Sequence, residues 1–108
     1  MSNMISALIK RPGETPKHVN LSDRIESLQK TVGGYIEQIR ITRDMVLLCD
    51  EDGKLKELPN NCTVCGVDYV GTIVIVGYDA DGFADLPVDW KTMKKLLPQL
   101  WKKAPKNG

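Results

Sequence analysis

Two adjacent glycines, Gly33 and Gly34, separate a helical pattern from a long series of strand patterns. Before them, apolar residues recur at spacings of four, three and four from Leu21 to Val32, which is typical of one face of a helix. Gly33 tolerates the left-handed conformation that commonly ends a helix. The chain then enters a strand pattern, whereas a phosphate-binding loop would lead from a strand into a helix. The pair therefore predicts a joint between a helix and a sheet.

Both predicted helices have recognisable ends. Ser22 is suited to an N-cap because its hydroxyl can accept a backbone N–H, and Asp23 adds a carboxylate at the positive end of the helix dipole. Asp89 is a second predicted N-cap, before a C-terminal helix whose apolar face includes both tryptophans. Pro98 should kink this helix or begin a new turn, because it lacks an N–H. The helix is expected either to complete the core or to lie along the sheet edge.

The segments outside the helices show strand patterns separated by turn residues. The nearly continuous apolar run 45–50 predicts a strand that is buried on both faces. The β-branched run between Gly71 and Gly77 predicts a central strand that these glycines flank. Residues 62–69 fit either a loop or a short helical turn. The predicted strands are 4–10, 17–21, 35–41, 45–50, 54–58 and 70–78, with a hairpin turn at Glu51-Asp52-Gly53.

Together these patterns predict the α+β class, with a mainly antiparallel sheet of about five or six strands. One helix is packed on the sheet, and a second helix lies at the C-terminal end. The length of 108 residues fits a single domain at 1–101, followed by a lysine-rich flexible tail at 102–108. A homodimer is compatible with so small a domain.

The net charge of +1 conceals a strong asymmetry along the chain. Residues 1–43 carry a net charge of +3, residues 44–89 a net charge of −8, and residues 90–108 a net charge of +6. The acidic segment 44–89 is expected to bind a basic surface, and the lysine-rich segment 90–108 is expected to bind a polyanion. The alternative is that the two segments neutralise each other within the fold.

Two sets of charged residues are the candidate partner-binding residues. The acidic set could mimic the phosphates of a nucleic acid, and the basic set could contact a partner or nucleic acid. Solvated hairpin tips and a solvated helix face are the alternatives. The acidic set is Asp50, Glu51, Asp52 and Glu57, extended by Asp68, Asp79, Asp81 and Asp85. The basic set is Lys91, Lys94, Lys95, Lys102, Lys103 and Lys106.

Few residues could carry catalysis or hold a metal. Cys62 and Cys65 have the spacing of a zinc half-site, but a structural zinc needs four ligands, and only Cys49 and His18 remain as partners. A catalytic cysteine would need His18 beside it, together with an orienting acid. We therefore predict no catalytic residue, no metal site and no cofactor, and we expect that the chain is not an enzyme.

The sequence also bears on location. It has no apolar run long enough for a transmembrane helix, and its start lacks the charged and then apolar pattern of a signal peptide. A cytoplasmic protein without membrane contact is therefore expected, with its three cysteines reduced.

Three motifs, in this order, resemble a small domain family of unknown function found in bacteriophages and in mobile elements of Gram-positive bacteria. They lie at 28–37, which contains Val32-Gly33-Gly34-Tyr35-Ile36-Glu37, at 46–60, and at 70–77, which begins Val70-Gly71-Thr72. The resemblance spans most of the chain. The lysine tail and the Cys62–Cys65 segment depart from the family pattern, so neither inherits a role.

The resemblance implies a phage, prophage or plasmid product in the cytoplasm of a bacterial host, where small proteins of this kind often act on host immunity. We therefore expect a non-enzymatic protein that binds and inhibits a host defence component. An RNA-guided CRISPR-Cas nuclease or its guide complex is the expected partner, as for an anti-CRISPR protein. Two alternatives stay open: sequestration of a nucleotide immune signal, and a nucleic-acid-binding accessory role.

Overall fold

A six-stranded antiparallel sheet forms the centre of the structure, a computed structural model that describes residues 3–102. In chain order the elements are β1 (Met4–Lys10), β2 (Lys17–Ser22), α1 (Ile25–Val32), β3 (Ile36–Thr42), β4 (Met45–Asp50), β5 (Asn60–Val64), β6 (Val67–Val70), β7 (Ile73–Asp79), β8 (Gly82–Ala84), α2 (Trp90–Leu96) and a 3₁₀ helix (Pro98–Trp101). The sheet order is β2-β1-β7-β4-β3, with β8 also paired to β7, while β5 and β6 form a separate hairpin. The predicted α+β class with a mainly antiparallel sheet is therefore confirmed.

The two central strands, β4 and β7, form the middle of the sheet, and the helices and the β5–β6 hairpin pack on its two faces. All six residues of β4 are buried, as the continuous apolar run 45–50 predicts. Strand β7 begins later than predicted, at Ile73, because Gly71 turns the chain with a φ of 72°. It also continues to Asp79, so Gly77 lies within the strand rather than beside it.

Helix α1 covers one face of the sheet. Its Leu28 and Val32 are buried against Leu48 and Val74 of the central strands. The prediction that Ser22 caps this helix is wrong: Ser22 ends β2, and the helix begins at Ile25 without a side-chain cap. The physical reason is that pairing with β1 continues past β2, because the Asp23 N–H donates to the Asn3 carbonyl. The predicted left-handed end of the helix is confirmed, since Gly33 has a φ of 94°.

The opposite face is covered by α2, the 3₁₀ helix and the β5–β6 hairpin. Met93, Leu97 and Leu100 are buried there against the sheet, so the C-terminal helix completes the core rather than lying along an edge. The predicted Asp89 cap is confirmed, because its carboxylate accepts a hydrogen bond from the Thr92 N–H at 2.8 Å. Pro98 begins the 3₁₀ helix, as expected. Within the described residues, neither α1 nor α2 has the length and apolar character needed to cross a membrane.

Two segments between β4 and β7 differ from the sequence prediction. Residues 54–58 are not a strand, because their amides bond within the turn: the Lys56 N–H donates to Asp52 and the Leu58 N–H to Gly53. The ambiguous segment 62–69 belongs to the β5–β6 hairpin. Cys65 and Gly66 form its tip, both with positive φ, as a tight two-residue hairpin turn requires.

Candidate functional site

Asp50 lies inside the protein, at the end of β4. Its side chain is 1% exposed, and Lys56 donates to its Oδ2 over 2.6 Å. The Asp52 N–H donates to its Oδ1 at 2.9 Å. The hydrogen bond from Lys56 is the main reason that the pKa of Asp50 is lowered, against the opposing effect of burial. Asp50 therefore forms an internal ion pair, and its predicted place on an exposed acidic surface is wrong.

The glycine joint is built against this ion pair. Lys56 Nζ also donates to the Gly33 carbonyl at 3.3 Å, so one lysine links the end of α1 to the end of β4. A Cβ on Gly34 would lie 2.7 Å from Oδ2 of Asp50. Gly34 is therefore required for the close approach of a buried carboxylate, while Gly33 is required for its left-handed backbone.

Replacing Gly34 with alanine is expected to lower the free energy of unfolding by about 2 kcal/mol, because the new methyl group must displace a held carboxylate. Urea denaturation measures this change. Gly33→Ala is the matched control, since its Cβ would meet open space and costs only about 1 kcal/mol of backbone strain. In an Asp50→Ala background the additional cost of Gly34→Ala should disappear. An unchanged cost there would contradict the clash.

Two further members of the predicted acidic set, Glu51 and Asp68, line a groove between β3 and β6. Glu51 and Glu57 are exposed and Asp52 is partly buried. The groove has a volume of about 240 Å³, and Lys54 lies among its acids. Its lining residues include Glu37, Glu51, Lys54, Asp68 and Tyr69. The negative charge of the groove is thus partly offset by Lys54, while Asp50, which also lines the groove, is neutralised by Lys56.

A second cleft, with a volume of about 500 Å³, lies at the end of the sheet where β8 turns back beside β1. We call it the acidic cleft, and among the described residues its charged lining consists of Asp23, Asp79, Asp81 and Asp85. Backbone amides orient these carboxylates. The Ser6 N–H donates to Asp85 at 2.7 Å, and the Asp81 N–H donates to Asp79 at 2.8 Å. Asp79 and Asp85 are therefore held in place, and the part of the lining that the structure describes contains no lysine.

Three of these aspartates belong to the predicted acidic set, whereas the sequence predicts that Asp23 lies at the start of a helix. The structure instead has the Asn3 N–H donating to Oδ1 of Asp23, at 3.1 Å, beside the start of β1. The strand order alone brings residue 23 next to residues 79–85, and no local pattern in the sequence encodes that proximity.

Three lysines of the predicted basic set lie on α2, and Lys102 follows the 3₁₀ helix. Lys91, Lys94, Lys95 and Lys102 are exposed, whereas Lys103 and Lys106 lie outside the described residues. Lys94 Nζ is 5.8 Å from the centroid of the Trp101 ring. Lys94 therefore adjoins an aromatic side chain that is partly buried against the core.

Two of the three thiols, those of Cys49 and Cys62, lie in environments that suppress their reactivity. Burial, with help from the Glu37 and Asp50 carboxylates, raises the pKa of the Cys49 thiol to about 11. Burial likewise raises the pKa of Cys62 to about 11. Thiols of this kind stay protonated at neutral pH, and the thiolate is the nucleophilic form. Across residues 3–102, no group of three or more His, Cys, Asp and Glu side chains is placed to hold a metal ion.

The fold and its surfaces define a small α+β domain with separate acidic and basic regions. A family model described as a domain of unknown function, DUF3846, matches residues 5–98, so the chain belongs to that family. Searches among curated proteins and among solved structures found no match. Membership of a family of unknown function is thus confirmed.

Proposed function

We propose that this chain is a non-enzymatic phage or mobile-element protein that binds and inhibits a host defence component, such as an RNA-guided nuclease. The observation that carries the proposal is the acidic cleft, in which the described charged residues all bear carboxylates. Nucleases bind their nucleic acids through basic surfaces. A cleft of fixed carboxylates is complementary to such a surface and can compete with phosphates for it.

The orientation of the carboxylates supports this role. Asp85 is tied to β1 and Asp79 to its own turn by backbone N–H groups, so little conformational freedom is lost when a partner binds. Complementary charge also accelerates association, which suits an inhibitor that must reach its target before the nucleic acid does.

A binding role rather than catalysis is supported by the titratable groups. The pKa values of Cys49 and Cys62 are raised to about 11, which opposes nucleophilic chemistry at neutral pH. His18 contacts the Trp90 ring, with the two centroids 5.6 Å apart. The proposed setting, the cytoplasm of a bacterial host, rests on the resemblance of the 28–37, 46–60 and 70–77 motifs to phage and mobile-element proteins.

The proposal is tested by neutralising the cleft without changing its shape. Asp79→Asn, Asp81→Asn and Asp85→Asn keep an oxygen that can accept the same backbone N–H bonds. In a DNA-cleavage assay with an RNA-guided nuclease recovered by pull-down from host cells, the triple variant should inhibit at least about tenfold less well, because association slows.

The matched control is the predicted turn set, changed as Glu51→Gln, Asp52→Asn and Glu57→Gln. This variant removes the same number of charges and should inhibit as the unchanged protein does. If the control loses inhibition and the cleft variant keeps it, the turn and not the cleft is the binding surface. If no nuclease is recovered and nucleotides are released on denaturation instead, the inhibitor proposal fails in favour of signal sequestration.

A further inference from the structure

We propose that the outer side of α2 and the 3₁₀ helix is a binding surface for single-stranded nucleic acid. This surface shares no residue with the acidic cleft, so a failed test of one proposal does not decide the other. We call it the lysine–aromatic surface. Its members are His18, Trp90, Trp101, Lys91, Lys94, Lys95 and Lys102.

Three aromatic rings form a continuous row on this surface. The His18 and Trp90 centroids are 5.6 Å apart, and the Trp90 and Trp101 centroids are 5.4 Å apart in an edge-to-face arrangement. His18 is exposed on β2, while both tryptophans are partly buried and anchored on the core. The row joins β2 to the C-terminal helices, and its anchored rings are pre-organised to contact flat ligands.

The charged residues of α2 and the 3₁₀ helix all have one sign. Lys91, Lys94 and Lys95 are exposed on α2, and Lys102 follows the 3₁₀ helix. The sequence from 90 to 102 contains no acid. The preceding carboxylate, on Asp89, accepts a hydrogen bond from the Thr92 N–H at the start of the helix. Phosphate groups could therefore contact the lysines without meeting a competing carboxylate on α2 or the 3₁₀ helix.

The combination of lysines with aromatic rings favours single strands over duplexes. Unpaired bases expose their faces and can stack on aromatic side chains, whereas a duplex keeps those faces stacked inside. Stacking of this kind is tolerant of sequence, and lysines contact phosphates without reading bases. The ligand class is therefore a short single strand of DNA or RNA, bound without strong sequence preference.

The chain offers a direct readout, because its two tryptophans both belong to this surface. A thymidine oligonucleotide titrated into the full chain at low salt should change the tryptophan fluorescence saturably. The apparent affinity should fall as salt rises. Changing Lys91→Gln and Lys94→Gln together should flatten the slope of log K against log salt by about 1.4, or roughly 0.7 per lost single-strand phosphate contact.

The matched control is Lys30→Gln with Lys54→Gln, two exposed lysines on α1 and on the 51–58 turn. This variant should leave affinity and slope unchanged. His18→Ala removes an exposed ring without opening the core, and it should weaken binding about tenfold, as measured by anisotropy of a labelled oligonucleotide. A duplex of equal length should bind more weakly than the single strand.

Three results would overturn the proposal. The first is the absence of saturable binding at low salt by either measurement. The second is duplex binding as tight as single-strand binding, because that would remove the role of stacking. The third is an equal loss of affinity in the Lys91/Lys94 and the Lys30/Lys54 variants, which would make the attraction a property of the whole chain.

Discussion

Gly77→Ala is expected to lower the free energy of unfolding by about 3 kcal/mol, because the new Cβ would overlap the backbone carbonyl oxygen of Asp85. Gly77 lies in β7 opposite Ala84, and the chain after β8 crosses the sheet at this point toward α2. Backbone cannot move aside as a flexible side chain can, so β8 must separate from β7. Thermal unfolding of this 108-residue chain should occur about 12 °C lower.

The control for this prediction is Gly82→Ala in the same hairpin. Gly82 has a φ of 108° and open space around it, so its replacement adds backbone strain of about 1 kcal/mol but no clash. Hydrogen exchange should show β8 amides losing protection in the Gly77 variant and retaining it in the control. Equal destabilisation by the two variants would show that a clash with the Asp85 carbonyl oxygen is not the cause. Because β8 carries part of the acidic cleft, the Gly77 variant should also lose partner binding.

The features that the sequence predicts well are those set by local chemistry. The apolar run 45–50 specifies a buried strand because its side chains are apolar on both faces. Gly33 ends α1 because a left-handed residue is needed there, and Asp89 begins α2 because its carboxylate reaches the Thr92 N–H. Each of these outcomes depends on residues within a few positions of one another.

Two features that the sequence predicts poorly lie where the local pattern fits more than one backbone path. The Asp50-Glu51-Asp52-Gly53 run resembles an exposed hairpin tip, but capture of Asp50 by Lys56 folds the turn back on itself. The sequence does not predict the β5–β6 turn at Cys65-Gly66, because cysteine is not among the residues that usually occupy a left-handed turn position. In both places the local pattern was compatible with more than one backbone path.

The acidic cleft shows a second limit, because its members come from segments that are distant in the sequence. Its members come from residue 23 and from residues 79–85, and the Ser6–Asp85 hydrogen bond spans 79 positions of the chain. The sequence shows an excess of acids in its middle, which is a property of composition. Only the pairing of β1 and β8 with the same central strand, β7, brings these carboxylates together. Charge sign was therefore predictable, whereas the shape of the surface was not.

Lys56→Met is expected to destabilise the fold by about 2 kcal/mol at pH 7, because it leaves the buried Asp50 carboxylate without its cation. This value lies below the roughly 3–5 kcal/mol that is typical of a broken buried ion pair, since the side chain of Lys56 is 44% exposed and water weakens the interaction. Urea denaturation gives the change. Lys54→Met, an exposed lysine on the same turn, should alter stability by less than about 0.5 kcal/mol.

The pH dependence of the stability lost in Lys56→Met shows whether the lost charge of Lys56 is its cause. The pKa of Asp50 is lowered in the folded state, chiefly by the hydrogen bond from Lys56, below the unfolded value of about 3.9. The pair therefore contributes its full stability above about pH 4 and loses it as the pH falls through the folded-state pKa. The loss of stability caused by Lys56→Met should accordingly be largest at pH 7 and smaller at pH 3.

The control is the double variant Lys56→Met with Asp50→Asn, which removes both charges and keeps an acceptor for the Asp52 N–H. Its stability should recover in part, and the pH dependence that comes from the Asp50 carboxylate should vanish. A deficit that stays constant from pH 7 to pH 3 would mean that Lys56 stabilises the joint by packing and not by its charge.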